Sequence, residues 1–564
     1  MTGNASDFEA LKLEAARKFA QTMIVIDDEA SQQSSETLTY PPEKTLQTPT
    51  RKSSFDAEAA EPLAKQGQSG KDTVKFPLNA KLLIENAMTS GLICSVLRPK
   101  KGDNLLKRVV NAAEIADIVC LDWEIHDDGG NTASKIIGTI IQKDAEQNGR
   151  LRLIAIYTGE KKSYDIMNKI FNAIPEKLIK DLKLKKTSLK IESSNGVRIV
   201  CLFKANGVRL FGPKKANQVK ENQLPERLQT EFSRLSEGLL SNVALAAIAS
   251  IRTSTHHVLS KFTGQMDGPF FHHRASIESP DDAEEYAVDI VLSELKGAVD
   301  KHQVAANYAG SKATEKRIRE MARRGEQLTL HYEKKGKPCT FDLGVDYAIS
   351  IIRDGLSYAL KEGRKPSGSP ANGQFEENLS TLFSNSSKAA HRLMHQFAAL
   401  TCVQAHPGSH LYRFGKLLPK LGLGTIIQDK DKTCLMCLQA SCDSVRIKGK
   451  RSFLFVPLDK EKCKPEYVVP VTTKTGKSEF AGFSVSSKSY CKARSIFFLT
   501  RSKAGTVNAK KTDGENFHFK DTKNNRYLWI ADLKHHRALH TVQRLGQHMG
   551  RLGVDEFEPY RSKK

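Results

Sequence analysis

The chain has 564 residues, of which 39% are hydrophobic and 27% charged. That is the composition of an ordinary soluble protein with three or four domains, and it excludes a collagen-like, coiled-coil or wholly disordered chain. The net charge is +23, and residues 401–564 hold 31 Lys and Arg against 14 Asp and Glu, so the last third invites a polyanion, either nucleic acid or an acidic protein face, unless the charge serves solubility alone. The longest nearly apolar stretch, Val243 to Ile251, is far below the ~20 residues of a membrane span. Met1 to Phe19 lacks the apolar centre of a signal peptide, and a cytoplasmic protein without membrane partners is expected. Ten cysteines are scattered without the dense spacing of a disulfide scaffold, so reduced thiols are expected.

In chain order, Ala5 to Phe19 reads as a short helix and Met23 to Ile26 as a strand. Residues 31–78 are rich in Ser, Thr, Gln, Glu, Pro and Lys and poor in large apolar residues, the signature of a disordered insertion. Leu78 to Thr89 then suits a helix, Leu92 to Leu97 a strand, and Asp103 to Ile115 a helix with Asp103 as its cap. Ile118 to Leu121 follows as a strand, Asn131 to Gln147 as a helix, Leu151 to Tyr157 as a strand, Tyr164 to Ala173 as a helix and Arg198 to Phe203 as a strand. Short continuous apolar strands separated by helices indicate a doubly wound parallel α/β sheet covered on both faces, here a domain spanning 1–219.

The pattern then turns helical. Leu224 to Lys261 is long and broken, Ser279-Pro280-Asp281-Asp282 is a helix start, and Ala283, Ala287, Ile290, Val291 and Leu295 make an apolar stripe. Ala313 to Arg324 and Val345 to Leu360 are further helices, completing a helical domain over 220–362. Residues 363–376 read as a linker and 377–421 as a helical segment. From residue 422 to 564 the chain is a basic, strand-rich α+β domain, with strands expected at Thr433 to Gln439, Ser452 to Val456, Tyr467 to Val471, Ala493 to Thr500, Phe517 to Phe519 and Arg526 to Ile530, and a last helix at His535 to Gly550.

Polar residues end the successive strands of the first domain. Asp27 and Asp28 follow the first, Asp122 the third, Thr158 the fourth and Lys204 the last. In a parallel sheet these ends share one edge, where ligands bind. Magnesium is a hard cation held by one or two carboxylates plus phosphate oxygens, so Asp27, Asp28 and Asp122 are candidate ligands. Asp122 is also a candidate carboxylate nucleophile toward phosphorus. Thr158 and Lys204 are candidates for holding phosphoryl oxygens.

This set resembles the receiver domains of response regulators, which carry an acidic pair after the first strand, an Asp after the third, a Ser or Thr after the fourth and a Lys after the fifth. The matching residues are Ile24-Val25-Ile26-Asp27-Asp28-Glu29, Cys120-Leu121-Asp122-Trp123, Ile156-Tyr157-Thr158-Gly159 and Leu202-Phe203-Lys204. The resemblance implies a flavodoxin-like fold, Mg²⁺-dependent phosphorylation of Asp122, and a histidine kinase or phosphotransfer protein as partner. It departs at Cys201, where the family has an aromatic, at Ala205, where it has Pro, and in two insertions. The layout of the whole chain is similar to divergent response-receiver proteins of bacterial anti-phage systems, which accompany a histidine-kinase-like ATPase. That likeness rests on Gly238-Leu239-Leu240 with Ala244-Leu245-Ala246, on Phe270-Phe271-His272-His273-Arg274-Ala275, on Cys437-Leu438-Gln439-Ala440-Ser441-Cys442-Asp443, and on Arg551 to Glu558.

Other constellations carry less. Cys434, Cys437, Cys442 and Cys463 could hold zinc, but Cys434 to Gln439 reads as a strand, which points residues three apart to opposite faces. His391 and His395 lack the Glu of a metalloprotease helix, and Gly476-Lys477-Ser478 lacks the upstream glycine of a phosphate loop. His272-His273-Arg274, after an aromatic pair, suits a buried polar contact or an anion site, the structural role leading. No hydrolase or kinase motif set occurs, so catalysis beyond receiver phosphotransfer is not indicated. Signal reception through Asp122 is the leading expectation. A silent receiver acting as a docking scaffold, and a nucleic-acid-binding effector in the basic C-terminal domain, are the alternatives.

Overall fold

The computed structural model describes the chain apart from residues 1–6, 32–76, 103, 147–148, 161, 194–195, 206–209, 278–279, 281, 362–363, 385, 410–411, 413–416, 462–464, 473–477, 487, 501–504, 513–515 and 550–564. The expected disordered insertion, apart from its ends at Ser31, Pro77 and Leu78, and the motif from Arg551 to Glu558 therefore lie outside the described residues. The chain divides into two compact units, one of residues 1–261 with 293–316, the other of residues 262–292 with 317–564. Among the described residues no helix is long and apolar enough to cross a membrane.

The first unit opens with α1 (Asp7–Phe19), β1 (Thr22–Ile26), α2 (Ala80–Thr89), β2 (Ile93–Leu97), α3 (Leu105–Ala113) and β3 (Ile118–Leu121). It continues through α4 (Asn131–Glu146), β4 (Arg152–Thr158), α5 (Ser163–Ala173), α6 (Glu176–Asp181), β5 (Lys185–Lys186), β6 (Lys190–Glu192), β7 (Val197–Lys204) and β8 (Gln218–Val219). The helices α7 (Leu224–Ser233) and α8 (Leu239–Thr253) follow. Strands β3, β4 and β7 are buried along their whole length, as continuous apolar runs in a doubly covered sheet must be. The strand order is β2-β1-β3-β4-β7-β6-β5. The first five run parallel, whereas β5 and β6 form an antiparallel hairpin on the edge of β7. The sheet is thus mixed, not wholly parallel as expected. The strands of that hairpin have only two and three residues, too few for a periodic signal.

One face of the sheet buries Val109, Ile136, Ile140, Ile166 and Ile170 from α3, α4 and α5. The other buries Ala16, Leu83, Leu228 and Phe232 from α1, α2 and α7. Each aliphatic side chain so buried contributes about 1.5–3 kcal/mol. Helix α3 begins at Leu105 with Asn104 at its cap position and no side-chain cap bond; Asp103, the expected cap, is outside the described residues. The long helix expected over 224–261 is broken between Ser233 and Leu239 and again at Ser254.

After α9 (Thr255–Leu259), helices α10 (Asp267–Ser276), α11 (Asp282–Lys301), α12 (Val304–Ala309) and α13 (Ser311–Arg323) follow, so the helical stretch is shared between the two units. In the second unit an unexpected hairpin appears, β9 (Thr329–Lys334) with β10 (Lys337–Asp342). Its turn residues Lys335 and Gly336 both have positive φ, 51° and 73°, the geometry of a tight two-residue hairpin. Then come α14 (Val345–Asp354), α15 (Leu356–Ala359), α16 (Asn372–Asn378), which begins inside the stretch read as a linker, and α17 (Ser387–Cys402).

The strand-rich part contains β11 (Val403–Ala405), β12 (Thr425–Gln428), β13 (Cys434–Cys437), β14 (Lys450–Lys460), β15 (Tyr467–Thr472), β16 (Ser478–Ser484), β17 (Arg494–Leu499), β18 (Lys510–Lys511), β19 (Phe517–Lys520), β20 (Arg526–Leu533) and the helix α18 (His535–Met549). They form a ten-stranded sheet of order β15-β16-β14-β13-β12-β20-β19-β18, with β11 on β20 and β17 on β14. One face packs Val456, Leu458 and Ile426 with Cys402 of α17 and Ala538 and Leu545 of α18. The other gathers Phe453, Phe455, Phe498, Phe517, Phe519 and Trp529, with edge-on pairs Phe453–Phe498 and Phe517–Trp529 at 5.7 and 5.6 Å, a favoured aromatic geometry. Thr522 N–H donates to the Phe497 carbonyl at 2.9 Å, so β17 meets the β19–β20 turn and the sheet wraps around this aromatic core. Cys434 and Cys437 are both buried in β13, where desolvation pushes the Cys437 thiol up to about 12. Among the described residues they join no metal-ligating group.

Asp532 ends this core. Burial pushes its carboxyl pKa up to about 6 against hydrogen bonds from Thr425 and the Trp529 indole, the latter 3.2 Å away. A raised folded pKa means that the native state takes up a proton between about pH 6 and 4 while the unfolded chain does not. Wild-type stability relative to Asp532→Asn is therefore expected to rise as pH falls through that window, by on the order of 2 kcal/mol. Denaturant unfolding followed by Trp529 fluorescence at pH 7.5 and 4.5 measures it; a pH-independent difference would contradict the assignment.

Candidate functional site

The C-terminal ends of β1, β3 and β7 bring four charged groups together. Ile26 is in register with Leu121, and the Asp122 N–H donates to the Ile26 carbonyl at 2.8 Å, so Asp27 and Asp122 leave adjacent strands side by side. Asp27, Asp28 and Asp122 each offer a carboxylate oxygen, and these atoms lie within 4.8 Å of one another. Lys204, at the end of β7, reaches across. Its Nζ lies 2.9 Å from Asp27 Oδ2 and 3.1 Å from Asp122 Oδ2. All but Asp28 are buried, and Asp28 is partly so.

The remaining contacts hold these side chains in place. Asp27 Oδ1 accepts the Glu29 N–H at 2.9 Å, and Asp122 Oδ1 accepts the Trp123 N–H at 2.7 Å. Asp28 Oδ2 accepts the His126 N–H at 2.8 Å, with His126 Nδ1 3.3 Å from the same oxygen. Its other oxygen, Oδ1, is buried and has no hydrogen-bond partner. Burial pushes the Asp122 pKa upward; the Lys204 ammonium opposes this and Asp27 adds to it. Lys204 resists its own burial because Asp122 and Asp27 hold its proton, and its pKa is raised.

Three carboxylates around one ammonium leave a surplus of negative charge, and an oxygen without a hydrogen lies among them. An unpaired buried carboxylate oxygen is costly. The donor set is all oxygen, which suits a hard divalent cation such as Mg²⁺ better than a thiophilic one. Asp27, Asp28 and Asp122 are the residues that could hold it. Among the described residues this is the one such cluster.

Thr158 is placed differently. It is fully buried on β4, in register with Phe203, and its hydroxyl accepts the Glu160 N–H at 3.0 Å. It shares the sheet edge with the acids, at the level of the residue before Lys204. Cys201, at the aromatic position of the resembled family, is buried and its thiol is pushed up to about 12 by desolvation.

Several neighbours carry no local sequence signal. His126 and Asp127 both have left-handed φ, 62° and 56°, uncommon for residues with a side chain and found mostly where surrounding structure imposes it. That loop is pinned to Asp28, 98 residues earlier. The Tyr157 ring lies under Lys204 at 5.9 Å, and its hydroxyl donates to the Val219 carbonyl at 3.0 Å. Glu221 accepts the Asn79 N–H at 3.2 Å. A run such as Asp127-Asp128-Gly129-Gly130 announces a turn but not its partner.

Residues 19–209 match the family model described as the response receiver domain, about a third of the chain. No curated protein and no solved structure matches.

The indole of Trp123, beside Asp122, lies against Gly130. A Cβ at that glycine, whose φ is +80°, would come within 2.1 Å of the ring. Gly130→Ala is expected to destabilise the first unit by about 2 kcal/mol or more and to shift Trp123 emission to the red. Thermal unfolding and fluorescence in a Trp529→Phe background report both; an unchanged melting temperature would be inconsistent with this packing.

Proposed function

We propose that this chain, with a response receiver domain at residues 19–209, is a response-regulator-like signalling protein phosphorylated on Asp122 in a Mg²⁺-dependent reaction. The observation that carries the reading is the convergence of Asp27, Asp28, Asp122 and Lys204 at one sheet edge, with Asp28 Oδ1 unpaired. The strand order of the five parallel strands, second, first, third, fourth and last, is that of flavodoxin-like sheets, whose ligands bind at this edge. A magnesium ion held by the three aspartates would neutralise them and the phosphoryl oxygens. An Asp122 oxygen forms a bond to phosphorus as the bond from phosphorus to the donor breaks, and the donor leaves with that electron pair. Lys204, already directed at Asp122 Oδ2, is placed to exchange that contact for a phosphoryl oxygen. The Thr158 hydroxyl accepts from the Glu160 N–H and keeps its own hydrogen to donate to another.

The partner in this reading is a histidine-kinase-like ATPase or phosphotransfer protein, and the setting is anti-phage defence in the cytoplasm. The helical segments 220–362 and 377–421, joined by 363–376, relay the charge change to the basic domain 422–564. The whole-chain resemblance set out above supports that setting.

One observation favours a second reading, a silent receiver serving as a docking scaffold. The Asp122 side chain keeps only 10% of its surface open to solvent, and both of its oxygens already accept hydrogen bonds. Incubation with Mg²⁺ and acetyl phosphate, followed by mass spectrometry, separates the two. The signalling reading expects one phosphoryl adduct, absent in Asp122→Asn and in protein treated with EDTA; the scaffold reading expects none and normal partner binding by Asp122→Asn.

Mg²⁺ binding follows in the same way. Saturable quenching of Trp123 is expected on titration of the Trp529→Phe protein, lost in Asp28→Ala. The raised pKa of Asp122 means that a proton competes with the ion at pH values where an ordinary carboxylate is free. Affinity should therefore climb with pH through about 6 and level off above about 7. A flat profile would mean that Asp122 is not a ligand.

A further inference from the structure

The second unit carries a stretch of sheet face that its own helices leave bare. Side chains alternate along a strand, and on β14 Val456 and Leu458 lie in the core with residues of α17 and α18. Leu454 belongs to the same face two residues earlier, yet it is 43% exposed. Strand β17 continues that face. Lys450 stands opposite Leu499, Ser452 opposite Phe497, and Leu454 opposite Ser495. Phe497 and Leu499 are 44% and 46% exposed. The opposite parity, Phe453, Phe455 and Phe498, is committed to the aromatic core. The Ser452 and Ser495 hydroxyls bond to each other across the strands, and the Lys450 ammonium stands 4.5 Å from the Phe497 ring centroid.

The rim of this face is cationic. Lys448 and Lys450 precede or begin β14, and Lys523 sits in the turn whose Thr522 N–H bonds to the Phe497 carbonyl; all three are exposed. The nearby acids are already engaged. Asp443 pairs with Arg451 at 3.4 Å, Asp429 pairs with Arg494 at 3.1 Å, and Asp521 is buried under the N–H groups of Lys523 and Asn525.

We propose that this face binds single-stranded nucleic acid, with an unpaired base stacked on Phe497 between Leu454 and Leu499 in the place taken by the Lys450 ammonium, which moves to a flanking phosphate beside Lys448. An exposed aromatic on a sheet, ringed by lysines, is the surface that recognises unpaired bases, because every base has a flat apolar face and every linkage a charge. A paired base offers no such face, so duplex is disfavoured. A protein partner would have to bring acids to the whole rim and an apolar centre to the sheet. This binding does not depend on phosphorylation of Asp122, and the two can fail separately.

The test uses the full chain and its Asp122→Asn form with labelled single-stranded RNA, single-stranded DNA and a hairpin duplex, read by fluorescence anisotropy across a salt series. Both forms should bind a single strand more tightly than the duplex, and the RNA and DNA arms decide which strand is the ligand. Phe497→Ala should weaken single-strand binding about tenfold or more, whereas Phe497→Tyr retains it. Lys450→Gln should flatten the slope of log affinity against log salt by about one. Unchanged Trp529 fluorescence confirms that these exposed substitutions leave the core folded. Absence of single-strand binding at low salt overturns the proposal. So does an affinity indifferent to Phe497→Ala, or duplex binding as tight as that of the single strand.

Discussion

Lys204 holds two carboxylates on strands other than its own. Its ammonium spans Asp27 at the end of β1 and Asp122 at the end of β3, with β4 lying between β3 and β7. Burial disfavours each of these charges alone; the ammonium and the two carboxylates stabilise each other, while the carboxylates repel one another. The parallel register makes this possible, because Ile26 beside Leu121 delivers Asp27 and Asp122 to one height at the edge. A third acid, Asp28, is drawn into the same small volume and anchored by the backbone of His126. In the proposed reaction that excess of negative charge would hold a divalent cation, and the cation would let a phosphoryl group approach Asp122.

The surroundings of the cluster join it to the helical part of its own unit. Past Lys204 the chain returns as β8 to pair with the end of β7. Its Val219 carbonyl receives the hydroxyl of Tyr157, whose ring lies near the Lys204 ammonium. Glu221, two residues on, accepts the N–H of Asn79, the capping residue of α2. Helix α7 starts immediately afterwards. In the proposed signalling role, a change of charge at Asp122 would act on groups one or two contacts from α7, the first helix after this sheet. On the same outer side of β7, the hairpin of β5 and β6 covers the strand that would otherwise end the sheet, a common way of blunting an edge.

The strand-rich unit follows a different principle. Its sheet separates an aromatic core from an aliphatic one, and a single strand, β14, supplies both by alternation. Because helices cover the aliphatic side over only part of β14, the alternation that fills the core at Val456 presents Leu454 to solvent.

Periodicity and residue type were enough to locate the strands and helices of the first domain and to set Asp27, Asp28, Asp122, Thr158 and Lys204 in order at strand ends. Buried parallel strands are long runs of apolar residues that nothing else in a soluble chain resembles. Short pieces escaped: β5, β6, β8 and β11 have two or three residues, and a period cannot be read from so few. β9 and β10 have six residues each but bury only Leu330 fully, so their alternation is weak, although the Lys335-Gly336 turn was a usable signal. Only the tertiary structure decided that Lys204 clamps Asp27 and Asp122 together, that Thr158 turns its hydroxyl to Glu160, and that His126 caps Asp28. Sequence pattern reports which side of an element a residue occupies. It carries no information on which residue, 82 or 177 positions away, will meet it when the sheet closes.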